Sequence, residues 1–215
     1  MQRFNVGLLA MALIALLIAR RVIPFFAMRA VAGLQLPMQT RIGQVQLAAC
    51  GVAAACLLAG QKLPAAVALG LTGAISLLQV LRWKPWAVRG NPLLWILYAG
   101  YAGLGIGLLT AACAAAGASL PPALPVHMIA MAGFSVLIIG MVTRTALGHL
   151  GRPLAADRSI VASYVLVLLA VALRLVALAP SAFSQPALHL SATAWIAALA
   201  LYLWRFAPLM IRPRR

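Results

Sequence analysis

The sequence predicts an all-α fold: a polytopic bundle of about seven transmembrane helices, with the amino terminus out and the carboxyl terminus in. Three observations carry that expectation. Of 215 residues, 65% are hydrophobic and 8% charged, whereas soluble domains run at about 45–50% and about 25%, so lipid is the solvent. The apolar residues form long Leu- and Ala-rich runs, which suit helices, and not the short alternating strands of a membrane barrel. The seventeen Lys and Arg, set against one acid, Asp157, fall in alternate connections.

The first run, 4–19, ends in Arg20-Arg21 in place of a small-residue cleavage site, so it reads as a retained helix. The connection after it, about 20–41, is apolar through Val22-Ile23-Pro24-Phe25-Phe26 and is expected to lie along the membrane interface, held by its arginines. Runs 42–60 and 63–81 flank Lys62. Run 92–114 carries Gly100, Gly103, Gly105 and Gly107, small residues that let helices approach closely, with Gly103 and Gly107 forming a GxxxG pair. Runs 126–142, 159–179 and 188–206 complete the set. At about 20 residues per crossing, residues 1–215 make one transmembrane domain.

The charges orient these spans. Arg20, Arg21, Arg29, Arg41, Arg82, Lys84, Arg89, Arg144, Arg152, Arg158, Arg205, Arg212, Arg214 and Arg215 share one side, leaving Arg3 and Lys62 opposite and Arg174 inside a span. By the positive-inside rule that side is cytoplasmic. The net charge of +16 is thereby explained without nucleic acid, and membrane lipid is the expected partner. Cys56 and Cys113 both fall towards the outer face, where a disulfide is permitted; the alternative is ordinary packing residues.

Ionisable groups within lipid are costly and point to function. His127 and His189 open the fifth and seventh runs at their outer ends, and Arg174 lies five residues before the outer end of the sixth. Two imidazoles at one depth could ligate haem iron or copper, with Arg174 facing a carboxylate such as a haem propionate. His127 and Met131, four apart on one helical face, form a soft donor pair suited to Cu(I). The bland alternative is that the histidines mark the interface and Arg174 snorkels outward.

A second cluster, Arg144-Thr145-Ala146-Leu147-Gly148-His149-Leu150-Gly151-Arg152-Pro153, is cytoplasmic. Gly148 and Gly151 flank His149 and would let backbone approach a ligand, while Arg144 and Arg152 bracket the turn and could hold an anion; the alternative is a connection anchored on lipid phosphates. No Walker loop, HExxH, nucleophile elbow or dinucleotide fingerprint is present. One aspartate and no glutamate leave no carboxylate pair for acid/base work, so enzymatic activity is not expected beyond metal or haem redox chemistry.

The stretch Met141-Val142-Thr143-Arg144 through Leu147-Gly148-His149-Leu150-Gly151-Arg152-Pro153, with His127 before it, resembles the signature of the NnrS family of bacterial membrane proteins. Arg21-Val22-Ile23-Pro24-Phe25-Phe26 resembles its RxIPFF element, Asn91-Pro92-Leu93-Leu94-Trp95-Ile96-Leu97 with Gly100-Tyr101 its PLLW helix, and Arg205-Phe206-Ala207-Pro208 to Arg212-Pro213-Arg214 its closing arginine-proline tail. The resemblance implies a multi-pass protein of the inner membrane that holds haem and copper and acts in nitric oxide metabolism and nitrosative-stress resistance. It makes His127, Arg144, His149 and Arg152 the leading site residues and gives no support to His189. Members of the family are roughly twice as long, with about twelve spans, and this chain resembles the carboxyl-terminal seven. A second copy or another polypeptide would then supply the missing helices. Tyr98 stands where the family's PLLW helix suggests histidine, which means either a lost ligand or a phenol in its place. Two other readings are a transporter half, with Arg174 and the glycine-rich span lining a path, and a family remnant without a cofactor.

Overall fold

A computed structural model describes the backbone of residues 2–211 and the side chains of residues 4–211. The Arg3 side chain and Arg212, Arg214 and Arg215 of the expected tail lie outside the described residues. Among those described, seven helices are long and apolar enough to cross a membrane and no strand occurs. They are α1 (Gln2–Ala30), α2 (Thr40–Leu58), α3 (Lys62–Arg82), α4 (Pro92–Ala115), α5 (Leu124–His149), α6 (Arg158–Val176) and α7 (Ser184–Ile211), with a short 3-10 turn at Pro85–Val88.

Three spans correct the sequence reading, the last because α7 runs beyond 188–206 at both ends. The segment after Arg20 is not an interfacial strap, because α1 runs on through Pro24 to Ala30. Ile23 and Ala27, one turn apart, are both buried in the bundle, and that packing outweighs the hydrogen bond lost at the proline. Likewise α5 continues past 142 to His149, which draws Arg144 and Gly148 out of the expected connection and into the helix.

Neighbouring helices run antiparallel, as their pairings require. Gln79 meets Tyr101, while Gly73, earlier in α3, meets Gly105 and Leu109, later in α4. The same inversion relates α4 to α5: Gly100 faces Leu137, Gly103 faces Ala132 and Gly107 faces Ile129. A Cβ at Gly103 would strike the Ala132 carbonyl, and one at Gly107 would stand 2.8 Å from the Ile129 nitrogen. The glycine stripe therefore packs α4 on α5, the common use of such a pattern in lipid. Where these backbones meet, α5 switches to a π-helix over Met128–Ser135. The i→i+5 pattern makes a wider turn, and the missing side chains on α4 leave room for it.

Helix ends follow local chemistry. Asn91 caps α4 by accepting from the Leu93 amide at 3.1 Å, with Pro92 in the first turn. Asp157 caps α6 by accepting from the Ile160 amide at 3.0 Å, and its other oxygen takes Arg205 Nε of α7 at 2.6 Å. Asp157 and Arg205 are the acid and base of that ion pair, which ties α6 to α7. Burial pushes the Asp157 carboxyl up, but hydrogen bonds from Ser159, Ile160 and Arg205, with the Arg205 charge, outweigh it and hold the pKa at about 2.

Two outcomes are expected. Gly103→Leu forces α4 from α5 and costs at least about 1–3 kcal/mol, the usual range for overpacking, read as a lowered melting temperature in detergent. Asp157→Ala costs about 1 kcal/mol, the worth of an N-cap. Because the folded carboxyl titrates below its unfolded value of roughly 3.9, that contribution is complete above about pH 4 and is lost as pH falls through about 2. Melting curves of the two proteins should accordingly converge in acid.

Candidate functional site

The arginine-poor end of the bundle holds a cavity of ≈290 Å3 between α5, α6 and α7. His127 and Met131 line it from α5, Arg174 from α6, and Ser191 and Trp195 from α7. His127 is half-buried, and its Nδ1 lies 2.7 Å from the Ala123 carbonyl. A carbonyl only accepts, so Nδ1 carries the proton in the neutral ring and Nε2 keeps the lone pair. Arg174 falls in the last turn of α6, where a cation also balances the helix dipole. Ser191 is buried and donates to the Ala170 carbonyl at 2.7 Å, which locks α7 on α6 beneath the cavity.

His189 does not join them. It is exposed and lines no part of this cavity, although Leu188 and Ser191 on either side of it do. Because α7 starts at Ser184, His189 lies more than a turn inside the helix instead of opening it. His149 closes the other end of α5, 22 residues from His127, which is roughly 33 Å, so these two cannot share a metal. Among the described residues no three His, Cys, Asp or Glu side chains gather as a metal site. His127 is the one histidine among the described residues that line this cavity, which excludes a haem held there by two histidines. An imidazole nitrogen with a thioether does fit a single Cu(I) ion.

The arginine-rich cluster is taken apart by the fold. Arg144 is buried, its guanidinium carbon 4.0 Å above the Phe26 ring, so Phe26 of the Arg-Val-Ile-Pro-Phe-Phe element supplies a cation–π partner. The Tyr164 hydroxyl, also buried, has no hydrogen-bond partner. Arg152 and His149 are exposed, so the two arginines do not close on one turn. Gly151 has φ +64°, and the amide of Arg152 bonds the Leu147 carbonyl at 2.9 Å. That is a Schellman cap. Gly60 and Gly117 end α2 and α4 in the same way, with Gln61 bonding Cys56 and Ala118 bonding Cys113. Gly151 is thus a helix terminator, and Gly148, inside the helix, has open space about it.

A buried amide network went unread in the sequence. Gln46 Nε2 donates to Ser76 Oγ at 2.9 Å and to the Tyr101 hydroxyl at 3.1 Å, and that hydroxyl donates to Gln79 Oε1 at 2.6 Å. Gln46, Ser76, Gln79 and Tyr101 are all fully or almost fully buried. Two glutamines inside apolar runs were the available signal, since uncharged amides in lipid also need partners. Tyr98 donates to the Trp83 carbonyl at 3.0 Å and meets the Trp83 ring edge-on, so its phenol braces α4 against the end of α3. Cys56 and Cys113 are free thiols, which corrects the disulfide option.

A family model described as NnrS protein matches residues 1–214 of the chain. No curated protein and no solved structure matches it.

Removing the Tyr98 hydroxyl orphans a buried carbonyl, so Tyr98→Phe should cost about 1–3 kcal/mol in unfolding while leaving any metal content untouched. Arg144→Met replaces a buried cation that has an aromatic but no carboxylate partner. If Arg144 serves the fold alone, thermal melts should show stability unchanged or raised.

Proposed function

Since the chain belongs to the NnrS family, we propose that it is an inner-membrane protein of nitric oxide metabolism that binds copper(I) in the cavity lined by His127 and Met131. The observation that carries this reading is the pairing of those two side chains on one cavity, with the Ala123 carbonyl fixing the His127 tautomer. Met131 offers a soft thioether beside that imidazole, a donor set matched to Cu(I). When bound, copper supplies one-electron chemistry and a coordination position for a small diatomic molecule. The chain's own residues bind and orient: His127 is held by its backbone bond, and Ser191 fixes the wall opposite. Arg174 brings a positive charge to the same space, which favours an anionic co-ligand. The positive-inside rule places this cavity towards the outer face, and the apolar outer surfaces of the helices meet lipid.

The nitric oxide role rests on family membership. The family resemblance implies haem as well as copper; one imidazole beside a thioether is a donor set suited to copper(I), so copper is the cofactor proposed.

Detergent-purified protein loaded anaerobically with Cu(I) should carry close to one copper per chain. His127→Ala and Met131→Leu should each lower that occupancy at least about tenfold, whereas His189→Ala should leave it unchanged. Wild-type protein with copper no higher than His127→Ala sinks the proposal, and a Soret band would return the site to haem.

A further inference from the structure

A second cavity lies at the opposite, arginine-rich end, ≈480 Å3 in volume and lined among others by Arg20, Arg21, Phe25, Gln39, Gln79 and Trp83. No acidic side chain and no histidine borders it. Arg20 sits 18 residues along α1 from Gln2, about 27 Å, so a helix that starts at one membrane face delivers this guanidinium to the headgroup level of the other.

Four buried side-chain polar atoms among the described residues have no hydrogen-bond partner, and three belong to two residues that line this cavity: Arg20 Nε, Gln39 Nε2 and Gln39 Oε1. Buried polar groups left this way are costly, more so when charged, and three of them on two residues of one cavity's lining point to a missing partner. The Arg20 side chain is also given its place. It crosses α2 at Gly43, where any Cβ would collide with its Nη1, so the guanidinium is held against the bundle instead of extending freely into water. Phe25 and Trp83 add apolar wall.

We propose that this cavity binds a phosphate group whose neighbouring atoms include a hydroxyl. Phosphate oxygens complement the Arg20 fork, with Arg21 as a second cation on the same cavity. Gln39 Nε2 requires an acceptor, which the phosphate supplies. Gln39 Oε1 requires a donor, which a hydroxyl beside the phosphate supplies. A bare carboxylate leaves that oxygen unmet, and a cation is repelled by the two arginines. The group belongs either to an anionic lipid head or to a free phosphorylated small molecule. The site is independent of the copper cavity at the far end.

The test uses the full chain in neutral detergent at 0.15 M salt, which screens diffuse attraction. Melting temperature is measured with added phosphatidylglycerol, phosphatidylcholine or glycerol 3-phosphate. Stabilisation by phosphatidylglycerol but not by phosphatidylcholine or glycerol 3-phosphate assigns a lipid head; stabilisation by glycerol 3-phosphate assigns a free ligand. In either case Arg20→Gln and Gly43→Leu should weaken the response at least about tenfold in ligand concentration, and Arg41→Gln, outside the cavity, should not. Gln39→Leu guards against misfolding of those variants: it removes two orphaned atoms, so it should melt no lower than wild type without ligand yet respond less to it. The proposal is overturned if wild type responds to none of the three, or if Arg20→Gln and Gln39→Leu respond as wild type does. Copper content should be the same in all five proteins, so loss of the phosphate response and loss of the metal are separate results.

Discussion

A chain with one carboxylate for seventeen cations cannot neutralise its buried arginines by ion pairing, and the bundle is arranged around that shortage. Asp157 is committed to Arg205 and to the start of α6. Arg144 turns to the face of Phe26, a partner that offers attraction without a proton acceptor. Arg174 settles in the last turn of α6, where unbonded carbonyls carry partial negative charge. Arg20 crosses α2 at Gly43 and is left with an unmet Nε. Each of the last three is a cation whose environment lacks a fixed anion, and two of them border cavities. The electrostatics of this protein therefore favour anions brought from outside the chain.

The second determinant is the close seam between α4 and α5. Glycines on α4 admit the backbone of α5, and over that contact α5 adopts the π pattern from Met128 to Ser135. His127 is the last residue before the π segment and Met131 lies within it. The packing constraint of the core thus reaches the candidate copper ligands directly, because the same turn that meets α4 presents Met131 to α6 and α7 on its other side. At the opposite end the aromatic and amide groups of α3 and α4 do comparable work. Tyr101 links Gln46 and Gln79, and Tyr98 anchors on Trp83, so the wall of the larger cavity is a hydrogen-bonded one.

How much of the site could be read in advance depended on how local its cause was. His127 and Met131 were placed on one face by helical spacing, and Arg174 at their level by counting along its own span. His189 met the same depth argument and yet stands outside, since depth says nothing about which way a helix is rotated. Gly148 and Gly151 looked like a ligand cradle, but a glycine after a helix serves the chain's need for a left-handed residue first, as Gly60 and Gly117 also show. Arg144 and Arg152 lie eight residues apart in one motif and yet differ in environment, because α5 runs seven residues further than its apolar stretch and carries Arg144 into the bundle.

By itself the sequence determined that the protein is a seven-helix membrane bundle, where most of its helices begin and end, and which family it belongs to. Those properties follow from composition, from runs long enough to cross a bilayer, and from ordered motifs, all of them features of the chain taken in order. Only the tertiary structure decided that α1 continues through Pro24, that α5 carries a π segment, and that Gln39 joins Arg20 around an orphaned polar cavity. These depend on which faces of distant helices meet and on how closely their backbones approach, quantities fixed by packing between segments and written in no single one of them.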